Sequence, residues 1–451
     1  MMNERATLMT EGSVWKHILR FALPLFWGSL FQQLYNVVDS LIVGNFLGSD
    51  ALAAVSSSAN LIFLMTGFFT GISAGTSVVI SRYFGARDPK NLSLAVHTTA
   101  AFGITAGLLV TLIGTLAAPH LLRWMGTPET VLPNSLQYFQ TYFSGALFVV
   151  LYNTANSIFQ AVGDSRHPLY YLMISSVVNV ALDLLFVGPL GMGVMGAALA
   201  TVISQGISAG LGIHKLMHTT GDYRLWLGKI RFHGPMLRQV LVMGLPSGLQ
   251  NSIIAVANVV VQSSINFYGA MAMAGCGSYS KLEGFAFLPI TCFTMALATF
   301  VGQNLGAKEY DRARRGARFG VITCMILAEV VGVVFYLLAP QLISLFNSDP
   351  QVVAYGVLDA HTITLFYFLL AFSHAIASVL RGAGRAIVPM IVMLVCWCVI
   401  RVSYITLIAR NSGNIQMVFW AYPLTWTLSS IAFLIYYIKA DWLHYLDKKG
   451  Q

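Results

Sequence analysis

The sequence predicts an all-helical membrane protein with twelve transmembrane helices in two parallel repeats of six. The first observation is composition: of 451 residues, 57% are hydrophobic and only 10% are charged, whereas about a quarter of the residues of a soluble domain are charged. The mean hydropathy is +0.71. The second observation is a series of twelve long apolar spans, and the third is a stretch of sequence that recurs in the second half.

The apolar spans account for most of the chain. Each is long enough to cross the roughly 30 Å hydrocarbon core of a bilayer as a helix. They lie at roughly 14–43, 52–80, 93–119, 134–159, 168–188, 193–216, 237–266, 272–302, 315–339, 352–380, 387–409 and 416–439. No P-loop or dinucleotide fingerprint accompanies them, so the energy for any transport must come from an ion gradient or a partner subunit.

Parts of the second half repeat the first half at a constant offset. Residues 157–168 align with 378–389, and residues 82–88 align with 303–309, both at an offset of 221. A repeat this long indicates duplicated halves. Six spans return the chain to its starting side, so the halves share one orientation, as in transporters built from parallel repeats.

The repeat defines the predicted domain organisation. It consists of an N-terminal six-helix lobe at 1–216, a cytoplasmic linker at 217–236 and a C-terminal six-helix lobe at 237–451. Pro24 and Pro246 occupy matching places in the first helix of each lobe. Because proline removes a backbone donor and clashes with the preceding turn, we expect a kink in both helices, either fixed or coupled to gating.

The chain has a formal net charge of +9, and the distribution of its basic residues indicates the membrane topology. Of the 26 Lys and Arg residues, 22 lie near the termini, in even-numbered loops or at span ends that border them; the exceptions are Arg123, Lys281, Arg401 and Arg410. The positive-inside rule therefore makes both termini cytoplasmic in a multi-pass protein of the cell (inner) membrane. No basic face or RNA-binding motif supports a nucleic-acid partner. The five Cys lie in apolar spans without disulfide or zinc spacing, so no metal site is expected.

Polar residues form stripes at helical spacing on several first-half spans. Because an ionisable group inside the membrane is costly unless it is paired or hydrated, these residues are candidates for function. The stripes comprise Gln32, Tyr35, Asn36 and Asp39 on span 1, Asn153, Asn156 and Gln160 on span 4, Asn179 and Asp183 on span 5, and Thr201 on span 6. When the two halves are aligned, Val261 and Tyr404 of the second half occupy the positions of Asp39 and Asp183. Both acids therefore belong to the first half alone.

If these stripes converge, Asp39 and Asp183 share one low-dielectric pocket. Burial and a neighbouring like charge both favour the protonated form of a carboxyl group, which suits a proton carrier. Alternatively, oxygens of Asp39, Asn179, Asp183 and Thr201 form a cage for an alkali cation, which prefers hard ligands. The structural alternative is a static hydrogen-bond cluster. We interpret the four residues as a cation-coupling site, since this half has no intramembrane Lys or Arg to pair with the acids.

The second half carries charges of both signs within its spans. They are Lys281 and Glu283 on span 8, Glu329 on span 9 and Arg401 on span 11. Because these charges balance, we expect structural ion pairs, with a role in substrate binding or gating as the alternative. Weaker candidates on span 10 are Asp359, His361 and His374.

Several motifs together resemble the multidrug and toxic compound extrusion (MATE) family of transporters. They are Pro24, Tyr35–Asp39, Val43-Gly44, Leu47-Gly48, Ala51–Ala53, Gly85-Ala86, Gly163-Asp164 with Pro168, Gly193–Ala198 and Gly302–Ala307. The resemblance covers about residues 15–440 and is specific in combination.

Within that family the chain is similar to the DinF-like, or MepA-like, branch. A first-half site in that branch uses an Asp on helix 1, an Asn and an Asp four residues apart on helix 5, and a Thr on helix 6. The resemblance thus implies coupling roles for Asp39, Asn179, Asp183 and Thr201. The NorM-like branch places coupling acids on helices 7 and 10, but span 7 here has no carboxylate and span 10 has only Asp359 near its start. A NorM-like assignment is therefore not favoured.

The resemblance implies a V-shaped pair of lobes that exports organic cations in exchange for H⁺ or Na⁺. We therefore predict a secondary multidrug antiporter rather than an enzyme, with no cofactor beyond the coupling ion. The expected partners are small organic cations and membrane lipid, and the expected state is a monomer. The candidate substrate-binding residues are Gln32, Tyr35, Asn36, Asn153 and Asn156. The alternative in the same superfamily is a flippase for lipid-linked precursors, which predicts a cavity rich in Arg and Lys.

Overall fold

The computed structural model describes residues 7–124, 129 and 131–445, with their side chains except at 40, 41, 43–45, 48–61, 63 and 64. Regular structure within these residues is helical throughout, and no strand occurs among them. The predicted all-α class is therefore confirmed.

The first half contains six helices: α1 Val14–Gly85, α2 Pro89–Trp124, α3 Leu132–Ser144, α4 Ala146–Ala161, α5 Arg166–Val187 and α6 Gly193–His218. The second half contains α7 Gly234–Asn266, α8 Ala270–Gly306, α9 Tyr310–Ser344, α10 Pro350–Ile363, α11 Tyr367–Gly382, α12 Ile387–Met393, α13 Arg401–Tyr404, α14 Ile415–Phe419 and α15 Ala421–Lys439. Two π-helical segments, Leu394–Ile400 and Ile405–Ala409, flank α13.

The helices follow the predicted spans closely. In the part of the chain that the structure describes, nine helical stretches are long and apolar enough to cross a membrane, and they coincide with nine predicted spans. The fourth span is divided at Gly145, where a Cβ would lie 2.3 Å from the Val202 side chain of α6. The first two predicted spans both lie in α1, so the loop predicted between them is helical.

The tenth predicted span is interrupted by a 3-10 turn at Thr364–Phe366, between α10 and α11. The Glu329 carboxylate of α9 accepts a hydrogen bond from the Phe368 backbone N–H at 3.1 Å, which satisfies a donor at the start of α11. A Cβ at Gly332 would lie 2.3 Å from the Thr364 carbonyl oxygen, so α9 packs directly against the turn. Glu329, predicted as a charged functional candidate, thus stabilises a helix break.

The chain folds as two compact units. Unit 1 comprises Met1–Leu8 and Pro24–Gly244, and unit 2 comprises Met9–Leu23 and Leu245–Gln451. Two of the boundaries fall at Pro24 and immediately before Pro246. The start of α1 therefore belongs to unit 2, and the linker together with the start of α7 belongs to unit 1.

Polar contacts explain this division. Arg312 of α9 donates hydrogen bonds to the carbonyl oxygens of Met9, Glu11 and Gly12, at distances from 2.6 to 3.1 Å. These bonds attach the amino-terminal segment to unit 2. In unit 1, the His97 ring accepts a hydrogen bond from the Trp226 backbone N–H at 3.0 Å and so attaches the linker.

Candidate functional site

Close packing of α5 against α6 brings their polar residues together. A Cβ at Gly196 of α6 would lie 3.0 Å from the Phe186 Cβ of α5, so the glycine permits this approach. An apolar cluster adjoins the two helices; its buried members are Ile42, Tyr138, Val187, Val194, Ala197 and Ala198. The packing excludes water from the facing polar side chains, which then need partners within the protein.

Asn179, Asp183 and Thr201 form a hydrogen-bonded group between α5 and α6. Asp183 is 0% exposed and Asn179 is 1% exposed. In one orientation of the Asn179 amide, its nitrogen donates to Asp183 Oδ2 at 3.1 Å and its oxygen accepts from the Thr201 backbone N–H at 3.2 Å. The opposite orientation would leave only a 3.5 Å contact to Thr201 Oγ1. The first orientation satisfies more groups and is the one we adopt.

The Asp39 carboxyl of α1 lies near the Asp183 carboxyl, and the two acids interact electrostatically. Oδ1 of Asp39 and Oδ1 of Asp183 are buried and accept no hydrogen bond from any residue that the structure describes. Two neighbouring buried carboxylates repel each other and lose hydration, which favours the protonated form of a carboxyl group. The arrangement therefore suits binding of a proton by this pair of acids.

Two tyrosines lie near the acids, and a third lies near those tyrosines. Tyr35 of α1 and Tyr138 of α3 interact electrostatically with both Asp39 and Asp183, and Tyr142 of α3 interacts with both of these tyrosines. Sequence reasoning identified Tyr35 but missed Tyr138 and Tyr142. Their spacing of four residues on a span that also carries Asn153 and Asn156 was the available signal.

The predicted polar stripe of α4 forms hydrogen bonds within its own helix. The Asn153 amide donates to the Val149 carbonyl oxygen at 2.9 Å. The Asn156 side-chain oxygen accepts from the Gln160 amide at 3.0 Å. On α1, Gln32 and Asn36 are exposed. A substrate-binding role for these residues remains a prediction.

The ion pairs expected in the second half do not form. Among the described residues, Lys281, Glu283, Glu329 and Arg401 take part in no ion pair, although Glu283 and Arg401 interact electrostatically at longer range. Lys281 is exposed, with its ammonium 5.7 Å from the centre of the Phe346 ring. Charge balance along the sequence therefore did not translate into contact.

Arg401 is buried in α13, between the two π-helical segments, and is 1% exposed. Its guanidinium donates to Thr425 Oγ1 from Nε at 3.2 Å and from Nη2 at 2.9 Å. The guanidinium also lies 4.5 Å from the Tyr422 ring centre and 5.5 Å from that of Trp397. Aromatic faces and one hydroxyl thus surround this cation.

The weaker candidates of span 10 have separate environments. Asp359 is buried and lies near the Cys276 thiol. The His361 ring bonds the Tyr336 carbonyl oxygen at 2.9 Å. The His374 ring contacts Phe287 and Trp397, each 5.1 Å away between ring centres.

Comparison with known proteins matches the chain to the MatE family model over residues 24–185 and again over 246–407. The two matches thus begin at Pro24 and Pro246, one in each half of the repeat. Together they cover more than half of the sequence.

Among curated relatives, the probable multidrug resistance protein YoeA of Bacillus subtilis is 29% identical over 440 residues, covering 95% of this chain and 94% of YoeA. The multidrug export protein MepA of Staphylococcus saprophyticus is 23% identical over 354 residues, covering 78% of each chain. A MATE crystallised with MaL6 superposes with a TM-score of 0.91 at 22% identity, over 99% of this chain and all of that one. The structural likeness establishes the fold.

Proposed function

Because the chain belongs to the MatE family of multidrug transporters, we propose that it is a secondary active exporter that exchanges organic cations for H⁺. The observation that carries this proposal is the proximity of the Asp39 and Asp183 carboxyls, whose Oδ1 atoms are buried without a hydrogen-bond donor among the described residues. Asn179 and Thr201 support the acids by orienting Asp183. The multi-pass membrane character of the protein agrees with this role.

The pair can couple transport through its charge. With one shared proton the two carboxyls carry a single negative charge, which attracts an organic cation. A second proton makes the pair neutral and weakens that attraction. Proton and drug therefore compete for one site, and this competition supplies the differential affinity that an antiporter requires. By linkage, bound drug reduces proton affinity by the same factor as the proton reduces drug affinity.

We favour H⁺ over Na⁺ as the coupling ion for a geometric reason. Two neighbouring buried carboxyls favour protonation, whereas a Na⁺ cage needs oxygens directed at the ion. The Asn179 oxygen accepts from the Thr201 backbone N–H, and the Thr201 hydroxyl donates to the Ala197 carbonyl oxygen at 3.1 Å. Binding of Na⁺ would require these contacts to rearrange.

The same site does not favour the flippase alternative. That function would need cationic side chains in the cavity to bind a lipid diphosphate. Among the described residues of unit 1, no Lys or Arg is buried, while Asp183 is fully buried.

We further propose that the protein acts as a monomer in the cell membrane. Its two termini are cytoplasmic in this proposal, as the distribution of basic residues predicts.

Transport by the reconstituted protein tests the coupling role. Uptake of a fluorescent organic cation into liposomes is driven by an imposed pH gradient or, separately, by a Na⁺ gradient. We expect the pH gradient to drive uptake and Asp183→Asn to abolish it. The matched control is Asp222→Asn, which changes an exposed acid of the same unit and leaves uptake intact. Full transport by Asp183→Asn would refute the coupling role, and uptake driven only by Na⁺ would refute the choice of ion.

A further inference from the structure

Unit 2 contains a cavity of about 470 Å³ at the end of the unit predicted to be cytoplasmic. The cavity lies between the first turns of α9, the last turn of α15 and the segment that follows α15. Its lining comprises Arg314, Arg318, Tyr437, Ile438, Lys439, Ala440, Asp441, Trp442 and Leu443. None of these residues belongs to the proposed transport site.

Three cations from two helices line the cavity. Arg314 and Arg318 are one helical turn apart on α9, and Lys439 is the last residue of α15. Arg314 has one partner, Asp311, at 3.8 Å, and the Asp311 side chain is 90% exposed, so this pair is weak. Within the described part of the chain, Arg318 and Lys439 form no hydrogen bond or ion pair. The cations are therefore available to a ligand.

The one acid in the lining does not neutralise them. Asp441 Oδ1 accepts hydrogen bonds from the His444 backbone N–H at 3.3 Å and from the His444 ring at 2.9 Å. Counting Arg314, Arg318, Lys439 and Asp441, the lining carries a net charge of +2. An anion, rather than a cation, suits this cavity.

The wall opposite α9 is held in place by aromatic contacts. The Tyr437 and Trp442 rings stack with centres 5.3 Å apart, and Trp442 is buried. The Arg385 guanidinium lies 4.0 Å from the Tyr445 ring centre and fixes the end of the same segment. The cavity is thus formed before any ligand binds, which reduces the entropic cost of binding.

The cavity borders an exposed apolar surface of α15. Ile438 lines the cavity and is 71% exposed, and Ile435, one turn earlier, is 51% exposed. An amphipathic ligand could place an anionic head among the cations and its acyl chains along these isoleucines. Basic pockets at cytoplasmic helix ends suit lipid head groups because that leaflet is negatively charged.

From this geometry we propose that the cavity binds the phosphate group of an anionic phospholipid. The phosphate contacts Arg314, Arg318 and Lys439, and the bound lipid connects α9 to α15. Arginine suits this role, since its planar guanidinium can donate two hydrogen bonds to one phosphate.

Native mass spectrometry of the purified protein tests the proposal. The protein is titrated with phosphatidylglycerol, with phosphatidylcholine or with inorganic phosphate. We expect phosphatidylglycerol to bind with at least tenfold preference over phosphatidylcholine. The triple variant Arg314→Gln/Arg318→Gln/Lys439→Gln should lose about fivefold in affinity per removed cation, on the order of a hundredfold in all.

Two controls separate this site from general charge and from misfolding. The variant Lys90→Gln/Arg231→Gln/Arg238→Gln removes three exposed cations of unit 1 and should bind phosphatidylglycerol normally. The charge-preserving Arg314→Lys/Arg318→Lys variant should bind more weakly than the wild type, because lysine lacks the planar guanidinium, but more tightly than the triple glutamine variant. Equal loss in both triple variants would overturn the proposal. Saturable binding of inorganic phosphate that displaces phosphatidylglycerol would overturn the lipid as the source while retaining a phosphate site.

Discussion

Replacement of Arg312 by alanine should release the amino-terminal segment from unit 2. Arg312 is 8% exposed and donates to three carbonyl oxygens of that segment. The Met9 carbonyl is the costly one to leave, because Met9 is 1% exposed and would keep only the 3.3 Å hydrogen bond from the Asn304 amide. Glu11 and Gly12 are exposed and can bond to water instead. A hydrogen bond to a charged group contributes about 1.5–3 kcal/mol. We expect local opening to become about 2–3 kcal/mol easier.

Hydrogen exchange read by mass spectrometry measures this change directly. The Met9 N–H donates to the Gln303 side-chain oxygen at 2.8 Å, so its protection reports whether the segment is bound. A change of about 2–3 kcal/mol corresponds to roughly 30–150-fold faster exchange at peptides covering residues 7–13. Arg315→Ala is the matched control, since it removes an exposed arginine from the same helix. Equal exchange in the two variants would refute the reasoning, as would full protection in Arg312→Ala.

Two further substitutions test packing and capping. A Cβ at Gly75 would lie 2.4 Å from the Met243 carbonyl oxygen, whereas one at Gly67 meets no atom within 4 Å. Gly75→Ala should therefore destabilise the protein by about 1–3 kcal/mol, and Gly67→Ala should leave the Tm unchanged or raise it; equal Tm values would contradict this. Asp88 accepts from the Asn91 backbone N–H at 3.1 Å at the start of α2, and that bond lowers the pKa of Asp88. Asp88→Ala should cost about 1 kcal/mol at neutral pH. Because the folded pKa lies below the unfolded one, the difference from the wild type should vanish as the pH falls through the acidic range below about 4, and a pH-independent difference in Tm would argue against capping.

Hydropathy was sufficient to place nine spans in the described part of the chain, because crossing a bilayer demands about twenty apolar residues whatever the tertiary structure. It could not place the interruptions of the tenth and eleventh spans. Neither Thr364–Phe366 nor the π-helical segments around Arg401 contain a proline. The turn at Thr364 instead depends on Glu329 and Gly332 of α9. Such contacts between helices leave no local sequence signal.

The candidate site, like the helices, was predictable only in part. Helical spacing places Asn179 and Asp183 on one face of α5, and the cost of burying an acid in a membrane singles out Asp39 and Asp183. The same reasoning predicted ion pairs in the second half, which do not form. Opposite charges on neighbouring spans establish only that pairing is possible, while helix rotation and packing determine which side chains touch.

The sequence by itself determined that the chain is duplicated, that it spans a membrane, and that two of its intramembrane acids have no counterpart in the second half, at Val261 and Tyr404. These conclusions need only periodicity, hydropathy and alignment of the two halves. Only the tertiary structure decided that the carboxyls of Asp39 and Asp183 lie near each other and near Tyr138. The distances between these side chains are set by the packing of α1, α3 and α5 rather than by any residue alone.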